Sequence, residues 1–375
     1  MISLFIRRSL TRLAIVAVIA AFALSLFQAA ECRAASRRDA LPSWQGDVRD
    51  ILVDFIFDVS TFGDKDFIPG RDRLAVFDMD GTLLSEKPLY FVLDATIHYL
   101  IEYASEVSAK GPEYKALCDA AMSRDLEYLR KDLDKTFSLA FEGRTFDFFR
   151  DYCLNVFETA VNPVKKRPLR ELVYKPMIEL IDLLHERGFS VYVVSGALQF
   201  AVMAISEEYL HVDQSRCIGS MVEARAEKIG DKTVFIRGKI RPPVNLDSGK
   251  SIRIKMRTGR APVLAFGNSD GDIRMLEFTA TSPYRHLAFV VDHDDPREFV
   301  YRKNELLGQA RAQGWTIISI KDHFKTIFEE PRRASGVVGS GNWKFGAEQA
   351  RGRIICDNEH GDPALGQSLG LGKPR

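Results

Sequence analysis

The stretch AVFDMDGTLL, residues 75–84, places two aspartates and a glycine directly behind an apolar run. The run Leu74–Phe77 has the character of a strand that is buried on both faces. Asp78 and Asp80 follow it, where like charges repel and a packed core rejects them. Asp and Gly behind a strand are also ordinary turn chemistry, so the stretch taken alone fits a turn as well as a functional site.

Four further apolar runs have the same character and alternate with helix-like stretches. They are Val191–Val194, Val263–Phe266, Leu287–Val291 and Trp315–Ile320. Continuous rather than alternating apolarity is typical of parallel strands that helices cover on both faces. The sequence therefore predicts an α/β fold, and sheets of this kind bind ligands at the carboxyl ends of their strands.

Three of the strand ends carry small and polar residues that suit an anion or metal site. These residues are Asp78, Asp80, Gly81 and Thr82 after the first run, Ser195 and Gly196 after the second, and GNSDGD (267–272) after the third. In a parallel sheet these loops meet at one edge, where glycines bring backbone N–H groups close to an anion. Calcium loops of the EF-hand type are excluded, because Lys87 or Thr279 would occupy the position that needs a bidentate carboxylate.

Composition divides the chain into segments. Residues 88–170 lack strand-like runs and are dense in amphipathic helix patterns, with aromatics that we expect to pack a helical core. A length of 375 residues fits about two domains. We assign residues 45–87 and 171–330 to an α/β core and 88–170 to an inserted helical cap. Residues 331–375 are rich in glycine with little periodicity, which predicts a flexible tail.

The N-terminus has the layout of an export signal. Residues 1–12 carry Arg7, Arg8 and Arg12 and no acid, and residues 13–27 carry no charge. As a helix the uncharged stretch spans roughly 22 Å, short of the hydrocarbon core of about 30 Å. We therefore expect residues 1–35 to be a cleaved signal peptide and the protein to be periplasmic. The alternative is an uncleaved segment that anchors the chain in the inner membrane.

Net charge and cysteine spacing exclude further classes. A formal net charge of +1 argues against a nucleic-acid partner, since phosphate binding usually requires a basic excess. Cys118, Cys153, Cys217 and Cys356 lie beyond the signal, and none has the spacing of a zinc site. We expect buried thiols, with one disulfide as the alternative.

The ordered set of motifs resembles a known family. AVFDMDGTLL, VYVVSG (191–196), Lys250 in SGKSIRI, and AFGNSDGDIRML (265–276) resemble the four signature motifs of the haloacid dehalogenase-like hydrolase superfamily. The resemblance is to its phosphoserine-phosphatase-like branch and to an exported bacterial subgroup, and extends from about residue 74 to 328. It implies a three-layer, Rossmann-like parallel sheet with a helical cap inserted after the first strand.

The resemblance also implies a reaction, the hydrolysis of small phosphomonoesters through an aspartyl-phosphate. Asp78 would be the nucleophile and Asp80 the general acid and base. Ser195 and Lys250 would hold the phosphoryl oxygens. Lys255 is the alternative to Lys250, because it lies closer to the third strand in sequence.

Substrate contacts are expected at the strand ends and at the entry to the cap. By the same resemblance, Thr82 and Gly196 would contact the substrate. Glu86, just past the first motif, is the candidate to face the leaving group. The expected partner is a small phosphorylated metabolite, and contact with a membrane is expected only through an uncleaved export signal.

Magnesium is the cofactor that the resemblance implies. Its ligands would be the carboxylate of Asp78, the backbone carbonyl of Asp80 and the acidic loop. Asn268 stands where the family often has an aspartate, and an amide oxygen brings no charge. Asp270 and Asp272 are both candidates to complete the site, and we expect weaker magnesium affinity than in a site with aspartate at 268.

Other functions on the same fold stay open at this point. A phosphotransferase differs only in the acceptor that enters. A haloacid dehalogenase also uses an aspartate nucleophile but has no use for a second acid that protonates an alkoxide, so Asp80 favours phosphate esters. A catalytically weak phosphate-ester-binding protein is the non-enzyme alternative, and Asn268 is the residue that favours it.

Overall fold

The structure, a computed structural model, describes residues 36–330. The expected signal peptide (1–35) and tail (331–375) lie outside the described residues. The strands are β1 (Leu74–Phe77), β2 (Ser190–Leu198), β3 (Cys217–Ser220), β4 (Val222–Ile229), β5 (Lys232–Ile240), β6 (Leu264–Gly267), β7 (Leu287–Asp292) and β8 (Thr316–Ser319). Six of them form one sheet in the order β3-β2-β1-β6-β7-β8, with every neighbouring pair parallel.

Helices surround this sheet and fill the long connection between β1 and β2. They are α1 (Gly46–Ser60), α2 (Phe91–Glu102), α3 (Ala104–Ser108), α4 (Pro112–Ser123), α5 (Leu126–Lys131), α6 (Leu133–Ala140), α7 (Phe146–Thr159), α8 (Lys175–Glu186), α9 (Gln199–Leu210), α10 (Ser248–Thr258), α11 (Ile273–Thr279), α12 (Asn304–Gln313) and α13 (Ile320–His323). Within residues 36–330 no helix combines the length and apolarity that a membrane crossing needs.

Two apolar clusters, one on each face of the sheet, make the core three-layered. Alternate residues of β1 point to opposite faces, so Ala75 and Phe77 join one cluster while Leu74 and Val76 join the other. Helices α1, α8 and α9 cover the first face, and α10, α11 and α12 cover the second. The predicted α/β class with a parallel, Rossmann-like core is confirmed, and each of the five apolar runs overlaps a strand of this sheet.

The connection between β1 and β2 is helical, from α2 to α7, and we call these helices the cap. Its interior is aromatic: Phe141 stacks on Tyr99 with ring centroids 3.9 Å apart, and Phe149 packs edge-on against Phe141 at 4.8 Å. Both phenylalanines are buried. The aromatics of this segment therefore pack a core, as their spacing predicts.

The sequence analysis missed a hairpin that departs from the sheet. Strands β4 and β5 pair only with each other, antiparallel, around the turn at Gly230 and Asp231. The hairpin packs on the cap instead: backbone N–H groups of Gly143 and Arg237 donate across the contact at 3.0 and 2.9 Å. Residues 222–240, assigned to the core by their sequence position, thus extend the cap.

The cysteines in the described part of the chain are buried thiols. Cys118, Cys153 and Cys217 are each free and buried. Cys356 lies outside the described residues. No disulfide joins the three described cysteines.

Candidate active site

Asp78 lies at the carboxyl end of β1, in the centre of the sheet. Its backbone N–H donates to the carbonyl of Phe266 on β6 at 2.9 Å, which continues the strand pairing to the point where the side chain emerges. The carboxylate is 6% exposed, and its Oδ1 lies 2.5 Å from Nζ of Lys250 on α10. An acidic side chain is thus held at the sheet edge by one buried cation.

Lys250 also contacts Asp272, so one ammonium neutralises two carboxylates. Its Nζ lies 2.6 Å from Oδ1 of Asp272, while Oδ2 of Asp272 accepts from the backbone and hydroxyl of Ser269 at 2.9 Å. Burial lowers the pKa of Lys250, but Asp272 and Asp78 outweigh it and the pKa stands above its ordinary value. Burial and the charge of Asp272 raise the pKa of Asp78, and Lys250 opposes that rise.

The structure distinguishes between the two candidate lysines and between the two candidate aspartates of the acidic loop. Lys255 is exposed and donates to the carbonyl of Gly259, whereas Lys250 is 2% exposed and sits between the two carboxylates. Asp270 is likewise exposed, whereas Asp272 is fully buried at the centre. The structure therefore brings Lys250 and Asp272 to the site and leaves Lys255 and Asp270 outside it.

Asn268 packs directly beneath Asp78. In one orientation of its amide, Oδ1 faces the loop that follows β1 and lies 3.2 Å from Oδ2 of Asp78 and 3.1 Å from the carbonyl of Asp80. Three oxygens in such proximity repel unless a cation lies between them. In the other orientation Nδ2 would donate to both oxygens. The first orientation therefore forms a cluster of three oxygens that a divalent cation would stabilise.

Gly81 makes this approach feasible. Its φ of +82° is a conformation that L side chains rarely adopt, and a Cβ there would lie 1.9 Å from the Asn268 amide. Thr82, expected to contact substrate, is instead fully buried. Its hydroxyl lies 3.3 Å from Oδ2 of Asp78 and 3.4 Å from Oδ1 of Asn268, so it positions these two side chains.

Asp80 points into a cavity above Asp78. Burial and the charge of Glu86 raise the pKa of Asp80 to about 7, although the N–H of Phe91 and the charge of Lys250 act in the opposite direction. That N–H, at the start of the first cap helix, donates to Oδ1 of Asp80 at 3.3 Å. Asp80 can therefore hold or release a proton near neutral pH.

Ser195 lies in β2 where the pairing with β3 becomes irregular, between Val194 and Leu198. Its Oγ accepts from the N–H of Ala197 at 3.0 Å, so the hydroxyl proton is available to an anion in the cavity. Gly196 also lines the cavity. A Cβ there would lie 2.5 Å from Leu246, which explains the need for glycine.

The cavity, of about 170 Å³, lies between the strand ends and the cap. Asp78, Asp80, Ser195 and Lys250 line its floor. The walls are mostly apolar and come from three segments: Val92, Leu133 and Phe137 of the cap, Ile240 of β5, and Val244 and Leu246 beyond it. A small anionic group thus meets the charged floor, and the rest of a ligand meets the apolar walls.

Glu86 also lines this cavity and is 3% exposed. Its Oε1 is buried without a hydrogen-bond partner among the described residues. Nζ of Lys87 lies 3.2 Å away as an ion-pair partner, but the contact lacks hydrogen-bond geometry. A donor on a bound ligand would satisfy this oxygen.

Three buried residues near the site were missed by the sequence analysis. Asn245 donates from Nδ2 to the carbonyls of Ser195 and Ile218 at 2.8 Å each, which ties the second motif to β3. His293 and Glu298 follow β7, where His293 contacts Asn268 and Glu298 contacts His293. The signal for these two was present, because the carboxyl end of β7 lies at the same sheet edge as those of β1 and β6.

Metal-binding capacity here depends on mixed oxygen ligands. Among residues 36–330 no group of three or more His, Cys, Asp and Glu side chains is arranged to hold a metal ion. The cluster described above combines one carboxylate, one backbone carbonyl and one amide oxygen, from Asp78, Asp80 and Asn268. Hard divalent cations accept this donor set.

A parallel α/β core with paired acids behind its central strand defines a class of hydrolases, and the family comparison agrees. The haloacid dehalogenase-like hydrolase model matches residues 75–277, more than half of the chain. The chain belongs to this family, and the predicted superfamily is confirmed. No curated protein matches the sequence.

Solved structures give distant fold matches. A conserved, functionally unknown protein from Anaerococcus prevotii is 15% identical with a TM-score of 0.49, over 77% of this chain and 97% of that one. A phosphoserine phosphohydrolase-like protein from Francisella tularensis is 17% identical with a TM-score of 0.35, over 63% and 98%. A probable phosphoserine phosphatase from Vibrio cholerae is 14% identical with a TM-score of 0.36, over 68% and 62%. At these values the matches say nothing about substrate.

Proposed function

We propose that this hydrolase is a magnesium-dependent phosphomonoesterase of the phosphoserine-phosphatase-like kind, acting through an aspartyl-phosphate. The observation that carries the proposal is the arrangement of two carboxyl groups around one cavity. Asp78 is paired with Lys250 at 2.5 Å, while Asp80 faces the same cavity with a pKa of about 7. A nucleophile and a separate proton carrier are what phosphoryl transfer to a carboxylate requires.

In the first half of the reaction, a carboxylate oxygen of Asp78 attacks phosphorus and the bond from phosphorus to the ester oxygen breaks. Asp80, in its protonated form, gives its proton to the departing alkoxide. In the second half, Asp80 takes a proton from water as the water oxygen attacks phosphorus, and the bond from phosphorus to the carboxylate oxygen of Asp78 breaks. Inorganic phosphate leaves, and both Asp78 and Asp80 return to their starting forms.

Two residues of the floor would stabilise charge on the phosphoryl group. Lys250 provides a fixed ammonium, and Ser195 donates its hydroxyl proton to a phosphoryl oxygen. Both line the cavity beside Asp78. Gly196 lines the same cavity, which supports its expected contact with the substrate.

Asp78, the Asp80 carbonyl and Asn268 would hold magnesium, with Asp272 supporting the loop. These would be hard oxygen ligands of the kind that Mg²⁺ prefers, and they lie close together: the Asn268 amide is 3.2 Å from Oδ2 of Asp78 and 3.1 Å from the carbonyl of Asp80. When bound, magnesium would neutralise the charge of the transferring phosphoryl group.

The substrate we propose is a small phosphorylated metabolite whose leaving group carries a hydrogen-bond donor. Glu86 supports this, because its buried Oε1 would accept from such a donor. A dehalogenase is less well supported, since it has no need of the proton that Asp80 carries. We further propose export to the periplasm, supported by residues 1–27. Retention of residues before Ala29 in the exported chain, measured by intact mass, would contradict it.

The experiment is hydrolysis of a generic aryl phosphate by the chain without residues 1–35, assayed with magnesium and with a chelator. We expect turnover with magnesium only, and a loss of about 10³-fold or more in Asp78→Asn, which removes the nucleophile but keeps the size of the side chain. Absence of turnover at acid and neutral pH would contradict the enzyme proposal. Full activity of Asp78→Asn would contradict the mechanism.

A further inference from the structure

A buried series of polar side chains leads from Asn268 away from the cavity. Nδ2 of Asn268 lies 3.4 Å from Nε2 of His293, and Nδ1 of His293 lies 3.2 Å from Oε2 of Glu298. His293 is 2% exposed and Glu298 is fully buried. Neither lines the cavity, so neither belongs to the catalytic floor.

Glu298 is surrounded by donors. Its Oε1 accepts from the hydroxyls of Ser85 at 2.6 Å and Tyr174 at 3.0 Å, and its Oε2 accepts from the N–H of Phe299 at 2.6 Å. The form of Glu298 that accepts from all of them is the ionised carboxylate. The contact with His293 therefore has the histidine as donor, with its proton on Nδ1.

A neutral histidine with its proton on Nδ1 has a lone pair on Nε2. That lone pair accepts from the Nδ2 group of Asn268. The amide then presents Oδ1 to Asp78 and Asp80, in the orientation that a cation completes. With the proton on Nε2 instead, His293 would donate to Oδ1, and Nδ2 would turn onto the two oxygens and occupy the cation position.

We propose that Glu298 and His293 are positioning residues that hold the Asn268 amide with its oxygen toward the metal. An aspartate at this position needs no such support, because its two oxygens are equivalent. Asparagine has one ligating oxygen and therefore depends on a neighbour that fixes the side on which it lies. This inference rests on the proposed function, since it assumes that the oxygen of Asn268 binds magnesium.

Glu298→Met tests the inference, because it keeps the length of the side chain and removes the oxygen that accepts from Nδ1 of His293. Without that acceptor we expect the histidine proton to move to Nε2, donate to Oδ1 of Asn268 and reverse the amide. We expect the Kd for Mg²⁺, measured by isothermal titration calorimetry, to rise about tenfold. The matched control is Tyr174→Phe, which removes a donor to Glu298 without touching His293 and should leave the Kd within about twofold.

The same substitution in an Asn268→Asp background shows whether Glu298 orients the Asn268 amide or stabilises the loop as a whole. With two equivalent oxygens at 268, Glu298→Met should change the Kd for Mg²⁺ by less than about twofold. An equal, tenfold loss in both backgrounds would overturn the inference, because Glu298 would then support the loop irrespective of the amide.

Nitrogen-15 NMR of the histidine rings provides a readout that needs no metal. We expect the wild-type signal of His293, assigned by its loss in His293→Gln, to show the Nδ1–H tautomer, and Glu298→Met to shift it toward Nε2–H. The Nε2–H tautomer in the wild type would overturn the inference. Failure of the wild-type chain to bind Mg²⁺ would contradict the proposed function, whereas Mg²⁺ binding that Glu298→Met leaves unchanged would contradict only this inference.

Discussion

The catalytic edge of the sheet and the cap each contain a buried cation, but the surroundings of the two cations differ. Lys250 lies between Asp78 and Asp272, which are 8% and 0% exposed at their side chains. In the cap, Arg144 pairs with Glu106, whose side chain is 35% exposed, and donates to the hydroxyl of Tyr99. Because Lys250 and both of its carboxylate partners are buried, none of these charges can be hydrated if its partner is lost. Glu106, in contrast, remains partly hydrated when paired with Arg144.

The two cations are therefore stabilised in different ways, by ion pairs at the sheet edge and by aromatic rings in the cap. At the catalytic edge, charges that would be costly alone are held together by contacts of 2.5 to 2.6 Å. In the cap the arginine lies over aromatic rings, with its guanidinium carbon 4.8 Å from the Phe148 centroid and 4.9 Å from that of Tyr103. The edge thus concentrates buried charges at the cavity, whereas the cap contributes mainly apolar and aromatic packing.

The largest effect on stability is expected at Lys250. Lys250→Met leaves two buried carboxylates without their cation, and we expect a loss of about 4 kcal/mol in the free energy of unfolding, measured by urea denaturation with a chelator present. Lys255→Met on the same helix is the control and should stay within about 0.5 kcal/mol, because that lysine is exposed. A loss below about 1 kcal/mol in Lys250→Met would show that stability depends no more on the cation of the sheet edge than on that of the cap.

A smaller effect is expected at the cation of the cap. Arg144→Met removes the pairing with Glu106 and the bond to Tyr99, and should cost about 2 kcal/mol in the same measurement, since Glu106 returns to water. Arg150→Met removes an exposed arginine of α7 paired with Asp151 at 2.8 Å and should change stability by less than about 0.5 kcal/mol. Equal losses in both variants would show that the burial of Arg144 adds nothing to the free energy of unfolding.

The smallest effect is expected at the apolar wall of the cavity. Leu246 lines the cavity and is 52% exposed, so Leu246→Ala should remove an apolar contact with the proposed substrate without disturbing the core. We expect KM for an aryl phosphate to rise about fivefold, equivalent to about 1 kcal/mol, with kcat within twofold. Ile252→Ala, at an exposed residue that is not part of the wall, should change neither constant. A fall in kcat with unchanged KM would contradict this prediction, because Leu246 would then act on the chemical step and not on substrate binding.

The catalytic edge could be predicted from the sequence to a large extent. Short apolar runs mark buried parallel strands, and parallel strands bring their carboxyl ends together, so Asp78, Ser195 and Asn268 were expected at one edge. Lys250 was singled out only by the family resemblance, and its choice over Lys255 needed the fold. Helix α10 turns Lys250 inward and leaves Lys255 exposed, which no spacing argument resolves.

The cap could be predicted only as a helical segment. Hairpin β4–β5 has a readable turn at Gly230 and Asp231, but its strands are polar and mostly exposed, so they lack the apolar runs that marked the sheet. That the hairpin closes one side of the cavity follows from long-range contacts with the cap. Thr82 illustrates the same limit, since its position in the motif indicated substrate contact and its burial indicates support for Asp78.

The sequence by itself determined the family, the class of fold and the two aspartates behind the central strand, because these depend on short-range patterns that the chain carries locally. The tertiary structure decided which lysine and which acid of the acidic loop reach the centre. It also decided which apolar residues wall the cavity and how His293 and Glu298 reach Asn268. Those choices depend on side-chain direction and on contacts between segments far apart in the chain, where burial and the pairing of charges select one arrangement.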